Sequence, residues 1–397
     1  MTETDISSIK GKKYKICFFS LYAFPYLSDR DVGSSGGAEH QQALLARELA
    51  RRGHQVSFIV KDFGQREIMD SDGIRIYKFS LPESRKMLFL SRIIRFFTRI
   101  QYFWNILSKP GADIYYQRCA GTVTGSLSLY CLIRRKKFIY SIASRSDVDG
   151  TVIHDSYFSG CPRLLRIIPK ASFVLGLLCA GCVVAQNTEQ QILLRKNYRK
   201  KSVLIKSLYR KPEHSHRSDH PTEIIWISSI QKMKQPELFL ELARLLPDTR
   251  FRMIGGASVD REYYEQIKNE AEKIPNLAFT GFVPPGDVQK YYENAMVIIN
   301  TSLYEGFPNT FLEAWSNAIP VVSLNVDPDE IICDKNLGIH SKNPDQLLLD
   351  VKKLVRDRPL RETLGMNGKN YLEDEHSAES VVSHYEKVFD RLMSSPE

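Results

Sequence analysis

Short apolar segments alternate with amphipathic helical segments through the second half of the chain, and this alternation limits the fold more than any other feature. The apolar segments have the length and the turn-forming boundaries of buried strands. They lie at Glu223–Ser228, Phe251–Gly255, Leu277–Gly281, Met296–Ile299 and Val321–Leu324. Strict alternation of strand and helix predicts a parallel sheet with helices on both faces, because each crossover returns the chain to the same end of the sheet.

The first half of the chain begins with the same pattern. A strand-like run at Tyr14–Ser20 is followed by a loop and by a helix from about Ala38, which ends in two arginines and Gly53. Further strands are predicted at Gln55–Val60, Asp113–Gln117 and Lys137–Ala143. With 397 residues, the chain is long enough for two α/β domains of ordinary size.

A change in composition marks the boundary between the two domains. Residues 211–221 combine prolines, serines and three histidines, which is typical of a solvated linker. The histidines share no helical face, so no metal site is predicted there. We predict an N-terminal domain at residues 1–210, a C-terminal domain at residues 211–372 and a closing helical segment at residues 373–397, with its helix at about Ala378–Met393.

The stretch from Val297 to Trp315 joins a strand, a tight loop and a helix start. Its apolar beginning is a strand, and Gly306 and Pro308 then break the pattern, since both residues favour turns. Apolar residues at helical spacing follow. In α/β proteins this arrangement builds anion and nucleotide sites, because the exposed amide groups of the helix point at the ligand.

Two carboxylates and two short polar residues occupy this loop and helix. Asn309 or Thr310 is the predicted N-cap, since a short polar side chain there satisfies exposed backbone N–H groups. Glu305 lies in the loop and Glu313 about one turn into the helix, where they could hold both ends of a hydroxyl-rich ligand. Either glutamate alone would fit a solvated charge or a partner of the helix dipole. Together, in this loop, they predict a ligand site.

The segment Glu305-Gly-Phe-Pro-Asn-Thr-Phe-Leu-Glu313 resembles the E-x7-E motif of family 4 glycosyltransferases, which are retaining and use nucleotide sugars. The resemblance runs from Lys15 to about Glu375. It implies an α/β GT-B fold, in which two Rossmann-like, doubly wound parallel-sheet domains face each other across a cleft. The first domain would bind the acceptor and the second the donor, and the last helix would cross back onto the first domain.

The resemblance also implies a function. The implied function is the transfer of a sugar from a UDP- or GDP-linked donor to a glycan or lipid-linked acceptor, in the biosynthesis of cell-surface polysaccharide. In the family the first glutamate contacts the sugar and the second holds the ribose, roles that fall here on Glu305 and Glu313. Lys234 aligns with a lysine that binds the diphosphate, and Glu305 and Lys234 are the implied catalytic residues. Ser229 stands where an arginine is frequent, with Lys232 as its substitute.

The remaining donor contacts are implied in the same way. A glycine pair, Gly36 and Gly37, closes over the donor phosphates from the opposite domain, and the ends of two further strands hold the base. The residues implied at the base and around the loop are Gly255, Phe282, Val283, Gly306, Phe307, Pro308, Asn309 and Thr310. No metal or other cofactor is expected, because enzymes of this fold generally need no metal for catalysis.

The acceptor side departs from the family pattern. Many members carry a histidine-aspartate pair after the strand at Lys137–Ala143, and here Arg145 and Asp147 are loose substitutes. Two alternatives therefore stay open. One is a catalytically silent GT-B subunit that binds a partner, and the other is a GT-B sugar-nucleotide epimerase. Retention of both Glu305 and Glu313 argues against the silent subunit.

The net charge of +9 suggests an acidic partner, either nucleotide phosphates or anionic lipid. No nucleic-acid motif is present. Residues 84–107 contain no acidic residue and carry Arg92, Arg95 and Arg99 at helical spacing among large apolar side chains. This helix could lie in a membrane interface, or it could pack on the sheet with its arginines in water. The expected location is cytoplasmic, with a possible contact at the inner face of the membrane.

Seven cysteines are scattered along the chain, which suggests reduced thiols. Cys179 and Cys182 form a C-x-x-C inside an apolar run, without a second ligand pair, so a zinc site is not expected there. Acidic residues also cluster at Asp327–Glu330. They could bind a divalent ion, but Asp-Pro is a common turn opener and the turn is the favoured interpretation.

Overall fold

The computed structural model describes residues 12–28, 36–80, 92–121, 123–150, 167–209, 217–258 and 260–394, and excludes the side chains of 92–97, 167–168 and 285. The predicted linker falls mostly outside this range, since residues 210–216 are not described. The strands are β1 Lys15–Phe19, β2 Gln55–Lys61, β3 Ile68–Ser71, β4 Ile74–Phe79, β5 Ile114–Arg118, β6 Lys137–Ser141, β7 Cys182–Ala185, β8 Val203–Leu204, β9 Glu223–Ile227, β10 Arg250–Ile254, β11 Leu277–Gly281, β12 Ala295–Asn300, β13 Val321–Ser323 and β14 Gly338–His340.

The helices pack on both sides of the sheets. They are α1 Phe24–Leu27, α2 Gly37–Arg51, α3 Arg92–Ser108, α4 Thr124–Ile133, α5 Ile167–Cys179, α6 Thr188–Tyr198, α7 Pro236–Leu245, α8 Arg261–Glu272, α9 Gln289–Tyr292, α10 Asn309–Ser316, α11 Ile331–Asp334, α12 Pro344–Arg356, α13 Arg358–Glu375 and α14 Ala378–Ser394.

The second sheet is parallel throughout and has the order β11-β10-β9-β12-β13-β14. The five strands predicted in this half are confirmed within one residue at each end. From β9 the chain first winds outward in one direction to β11 and then in the other direction to β14. A reversal of this kind leaves a crevice at the carboxyl ends of β9 and β12, where α/β proteins bind their ligands.

The first sheet has the order β3-β4-β2-β1-β5-β6-β7-β8 and reverses in the same way, between β1 and β5. Its pairings are parallel except at the edge, where β3 runs antiparallel to β4. The predicted parallel sheet is therefore mixed. Asp72 and Gly73 connect these two strands and both have positive φ, which suits a tight hairpin.

Helix α14 packs against the first sheet, although it follows the second domain in sequence. Its residues Val382, Tyr385 and Phe389 are buried in one cluster with β1 and β2. Arg52 at the end of α2 forms ion pairs with Glu386 and Glu379. The end of the chain thereby ties the two domains together.

Helix α3 covers the part of the basic stretch that the structure describes. Phe103 is buried, with its ring 5.4 Å from that of Phe19 and 5.9 Å from that of Phe79. Arg99 is exposed, whereas Arg92 and Arg95 have side chains outside the described set. This half of the helix therefore packs its apolar face on the sheet. Within the described ranges, no helix is long and apolar enough to cross a membrane.

Candidate active site

Lys234 and Glu305 lie together at the crevice between β9 and β12. They form an ion pair between Lys234 Nζ and Glu305 Oε1, with side chains only 13% and 18% exposed. The two residues are 71 positions apart in sequence. Each follows the carboxyl end of one of the two strands at which the winding of the sheet reverses, so the topology brings them together.

Hydrogen bonds hold the two loops in this arrangement. Ser302 Oγ donates to Glu305 Oε1 at 2.7 Å. Thr301 Oγ1 donates to the carbonyl of Lys234 at 2.6 Å and accepts from Trp226 Nε1 at 2.9 Å, which anchors the pair to a buried strand. The ammonium and the carboxylate are therefore positioned before a ligand arrives, as electrostatic catalysis requires.

The other predicted phosphate ligands are placed differently from Lys234. Lys232 is exposed and its Nζ lies over the Tyr263 ring, 5.7 Å from the centroid. Ser229 accepts a hydrogen bond from Gln231 Nε2 at 2.6 Å. Lys232 is thus engaged by an aromatic ring, and of these three residues the structure brings Lys234 alone into contact with Glu305.

Glu313 lies on α10 and is half-buried beside Tyr292. The Tyr292 hydroxyl donates to Glu313 Oε2 at 2.6 Å. Burial raises the pKa of Glu313 above its usual value, and the tyrosine hydrogen bond partly offsets this rise. A half-buried carboxylate oriented by a hydroxyl donor is well suited to accept further hydrogen bonds from ligand hydroxyls. Tyr292 was not anticipated from the sequence, since nothing local links it to Glu313.

The predicted N-cap of α10 is wrong. Pro308 occupies the cap position, no side chain caps the helix, and Asn309 is its first residue. Asn309 instead contacts the first domain: its Nδ2 donates to the Gly37 carbonyl at 3.0 Å, and its Oδ1 accepts from Gln41 Nε2 at 3.1 Å. Asn309 is therefore inside the helix, and its side chain bonds across the cleft instead of capping α10.

The glycines at the cleft have close neighbours, which are side chains at Gly36 and Gly37 and backbone at Gly306. Gly36 and Gly37 begin α2, and a Cβ on Gly37 would lie 2.8 Å from Asn309 Nδ2. A Cβ on Gly306 would lie 2.3 Å from the Ala143 carbonyl, and Asn187 Nδ2 donates to the Gly306 carbonyl at 2.7 Å. The E-x7-E loop is therefore held against the first domain.

Phe307, which the resemblance implies among the donor-binding residues, has a buried side chain. Its ring lies 6.4 Å from that of Trp315 and 5.0 Å from that of His376. A large apolar ring is more stable in this aromatic cluster than in the solvated loop. Pro308 is also buried, and Thr310 lies half-buried in the first turn of α10.

The residues predicted at the base lie at the carboxyl ends of β10 and β11, beside β9. A Cβ on Gly255 would lie 1.8 Å from the Ser228 carbonyl, so the close approach of the two strand ends requires glycine. Phe282 is partly exposed, Val283 is half-buried, and Gly256 lies against the Phe282 side chain.

Arg145 and Asp147, the predicted substitutes on the acceptor side, differ in exposure and in their partners. Arg145 is exposed and pairs with Glu189 at 3.0 Å. Asp147 is buried, and its Oδ2 accepts from the backbone N–H of Ala143 at 2.7 Å. Burial raises the pKa of Asp147, while the backbone donors lower it. Asp147 therefore holds the loop after β6 and does not face the cleft.

Sequence reasoning overlooked Arg118 at the carboxyl end of β5. Its Nη2 donates to Gln186 Oε1 at 2.7 Å. Burial raises the pKa of Glu39, and the charge of Arg118 partly offsets this rise. The available signal was the position of a basic residue at the end of a strand beside the reversal point of the first sheet.

Known structures share this two-sheet arrangement over almost the full chain. Sucrose-phosphate synthase from Thermosynechococcus elongatus superposes with a TM-score of 0.75 and 16% identity, over 96% of this chain and 99% of that one. Anabaena HepE, solved with UDP and glucose, superposes with a TM-score of 0.70 and 14% identity. The match covers 95% of this chain and 100% of that one. The chain has the GT-B fold. At such low identity these likenesses establish the fold alone.

Residues 210–371 match the family described as "Glycosyl transferases group 1". A "Glycosyltransferase 1 domain-containing protein 1" of Xenopus tropicalis is 25% identical over 178 residues, covering 44% of this chain and 51% of that protein. The "Alpha-galactosylglucosyldiacylglycerol synthase" of Streptococcus pneumoniae is 33% identical over 122 residues, covering 30% of this chain and 33% of that protein. The chain spans about half or less of these relatives. The matched region contains Lys234, Glu305 and Glu313.

Proposed function

We propose that this GT-B chain is a retaining glycosyltransferase of family 4. It would move a sugar from a UDP- or GDP-linked donor to a glycan or lipid-linked acceptor in the biosynthesis of cell-surface polysaccharide. One observation carries the proposal: the paired Lys234 and Glu305 lie at the reversal point of the second sheet, with Glu313 on the helix that follows. The match of residues 210–371 to the group 1 glycosyltransferases supports it.

Each of these three side chains has a role in the proposed reaction. Lys234 and the amide groups at the start of α10 would bind the diphosphate, where negative charge develops as it leaves. Glu313 would accept hydrogen bonds from the ribose hydroxyls. Glu305, already fixed by Ser302, would contact the sugar.

The chemistry requires no protein nucleophile. The acceptor hydroxyl oxygen bonds to the anomeric carbon on the face from which the nucleotide leaves, and the bond from that carbon to the phosphate oxygen breaks. The electron pair stays on the phosphate, which also takes the hydroxyl proton. The protein contributes position and charge, which together account for much of the rate enhancement of many enzymes.

Thermal unfolding with a panel of nucleotides is the direct test. A ligand at 100 times its Kd stabilises the native state by about 2.7 kcal/mol, which raises Tm by several degrees. We expect UDP or GDP, and one sugar linked to it, to give this shift. The corresponding monophosphates are the matched control, because they lack the second phosphate that Lys234 would hold. If no nucleoside diphosphate or nucleotide sugar changes Tm, the proposed donor site is wrong.

We also propose a cytoplasmic location with a peripheral contact at the inner face of an anionic membrane, made by α4 and α5. Five large aliphatic side chains are exposed on these helices: Leu129, Leu132, Ile133, Leu175 and Leu178. The helices lie side by side, since a Cβ on Gly125 would lie 2.3 Å from the Ser172 carbonyl. Neither residues 114–146 nor residues 156–188 contain an acidic residue, so the segments that carry α4 and α5 have a positive net charge, which suits anionic lipid.

Leu132→Glu is expected to abolish sedimentation of the protein with phosphatidylglycerol vesicles. Leu132 is 64% exposed, and moving such a side chain into lipid contributes about 1.5–3 kcal/mol, with about 1 kcal/mol more from each nearby cation. Leu349→Glu is the matched control, because Leu349 is 57% exposed on α12 of the other domain. If the unmodified protein stays in the supernatant at low salt, or if both variants behave alike, α4 and α5 do not dock on lipid.

A further inference from the structure

Three potential metal ligands of different chemistry converge at one edge of the second domain. The Asp327 carboxylate, the Cys333 thiol and the His340 ring bring their ligand atoms within 4.8 Å of one another. They come from three segments: the turn after β13, helix α11 and strand β14. Strand β14 is separated from β12 by β13, so this cluster is distinct from the Lys234–Glu305 pair.

The backbone fixes the cluster before any ion binds. The carboxylate of Asp327 accepts from the N–H of Ile332 at 2.8 Å and from that of Cys333 at 3.3 Å. His340 ends β14, where it pairs with Ser323, and its Nδ1 lies 3.8 Å from Asp327 Oδ2. The backbone N–H groups at the start of α11 account for the position of Asp327, and the Cys333 thiol and the His340 imidazole both approach the same carboxylate.

The turn that presents Asp327 is strained. Asp329 and Glu330 both have left-handed backbone conformations, with φ of 54° and 58°. This conformation costs about 1–2 kcal/mol for Glu330, whereas aspartate adopts it more readily. Strain of this kind persists where the surrounding structure holds it, and it is concentrated at functional sites.

We propose that Asp327, Cys333 and His340 bind a divalent transition-metal ion of the zinc type. Thiolate, imidazole and carboxylate are the ligands that zinc prefers, and a water would complete a tetrahedral site. Cys333 is exposed, so an ion can enter from solvent.

The site would act on the structure and not on the sugar transfer. Asp329 lies in the same turn, and its Oδ1 accepts from the backbone N–H of Thr188 at 2.8 Å. An ion joining the turn to α11 and β14 would therefore stabilise a contact with the first domain. The inference does not depend on the proposed glycosyltransferase activity, since its test uses metal binding alone.

Cobalt(II) titration of the full-length, chelator-treated and reduced protein tests the site. Cobalt replaces zinc in such sites and absorbs visible light, with a charge-transfer band when a thiolate is bound. We expect one cobalt per chain and this band, displaced by zinc. Cys333→Ser should abolish the band, and His340→Gln should weaken binding at least tenfold. Zinc alone should raise the Tm of the unmodified protein and leave that of Cys333→Ser unchanged.

Cys179→Ser is the matched control, because Cys179 is also exposed and belongs to the C-x-x-C with Cys182. It should keep the full band. A band that persists in Cys333→Ser, or that is lost in Cys179→Ser, would assign the thiolate elsewhere and overturn the proposal. Absence of stoichiometric binding at micromolar cobalt or zinc would overturn it as well. Far-UV circular dichroism and melting of each variant check that it is folded.

Discussion

Glutamine in place of Glu305 is expected to lower kcat by about 100-fold or more, while Tm changes little. The glutamine oxygen can still accept from Ser302 and from Lys234, so the loop keeps its hydrogen bonds. What is lost is the negative charge at the place where the sugar would develop positive charge in the transition state. Losing an interaction made only in the transition state lowers kcat and kcat/KM together.

The measurement is the initial rate of nucleoside diphosphate release with the donor identified by thermal shift. Glu375→Gln is the matched control, because it removes the negative charge from a second lysine–glutamate pair, with Lys206 at 2.7 Å, away from the crevice. It should leave kcat unchanged. If Glu305→Gln keeps the kcat of the unmodified protein, Glu305 is a charged loop residue without a catalytic role. If Glu305→Gln instead lowers Tm by many degrees, the role of Glu305 is structural.

Contacts distant in sequence account for what the sequence could not predict at this site. The spacing of Glu305 and Glu313 is local and was visible directly, as was the helix that carries Glu313. The partner of Glu313 is Tyr292, and that of Glu305 is Lys234, 71 residues away. The first pairing has no local signal, and residue patterns alone give no distance for the second.

Asn309 and Phe307 show why local preferences fail near a domain interface. Asparagine is a good N-cap, but here its side chain bonds to Gly37 and Gln41 of the opposite domain. Phe307 is implied among the donor-binding residues, yet its ring is buried beside His376, which follows α13. Both outcomes depend on segments that meet only in the folded chain.

The edge hairpin of the first sheet was predictable and was missed. Asp72-Gly73 is a strong signal for a two-residue hairpin turn, and β3 and β4 flank it. The error came from extending the parallel βα pattern of the second half to the whole chain. Five of the six strands of the second sheet were predicted within one residue, because each is a largely apolar run between clear turn residues, whereas β14 was not predicted.

Glutamine in place of Glu313 is expected to weaken binding of the cognate nucleotide by roughly 10- to 150-fold. A hydrogen bond to a charged group contributes about 1.5–3 kcal/mol, which corresponds to that range of Kd. The same change should not lower Tm at neutral pH. Burial raises the pKa of Glu313 in the folded state, so its ionisation above the unfolded-state pKa disfavours folding, and the neutral glutamine removes that cost. Glu241→Gln, exposed on α7, is the control for both measurements.

The pH dependence of nucleotide binding separates this role of Glu313 from a packing role. Only the carboxylate form accepts hydrogen bonds with both oxygens, so affinity should fall as the pH drops through the raised pKa of Glu313, above the range of an ordinary glutamate. The Tyr292 hydroxyl lowers that pKa. Tyr292→Phe should therefore raise it and move the loss of affinity to higher pH. Calorimetry across pH 4–8 would measure the shift, with Glu313→Gln expected to show no such titration. Identical pH profiles in all three proteins would exclude Glu313 from the nucleotide site.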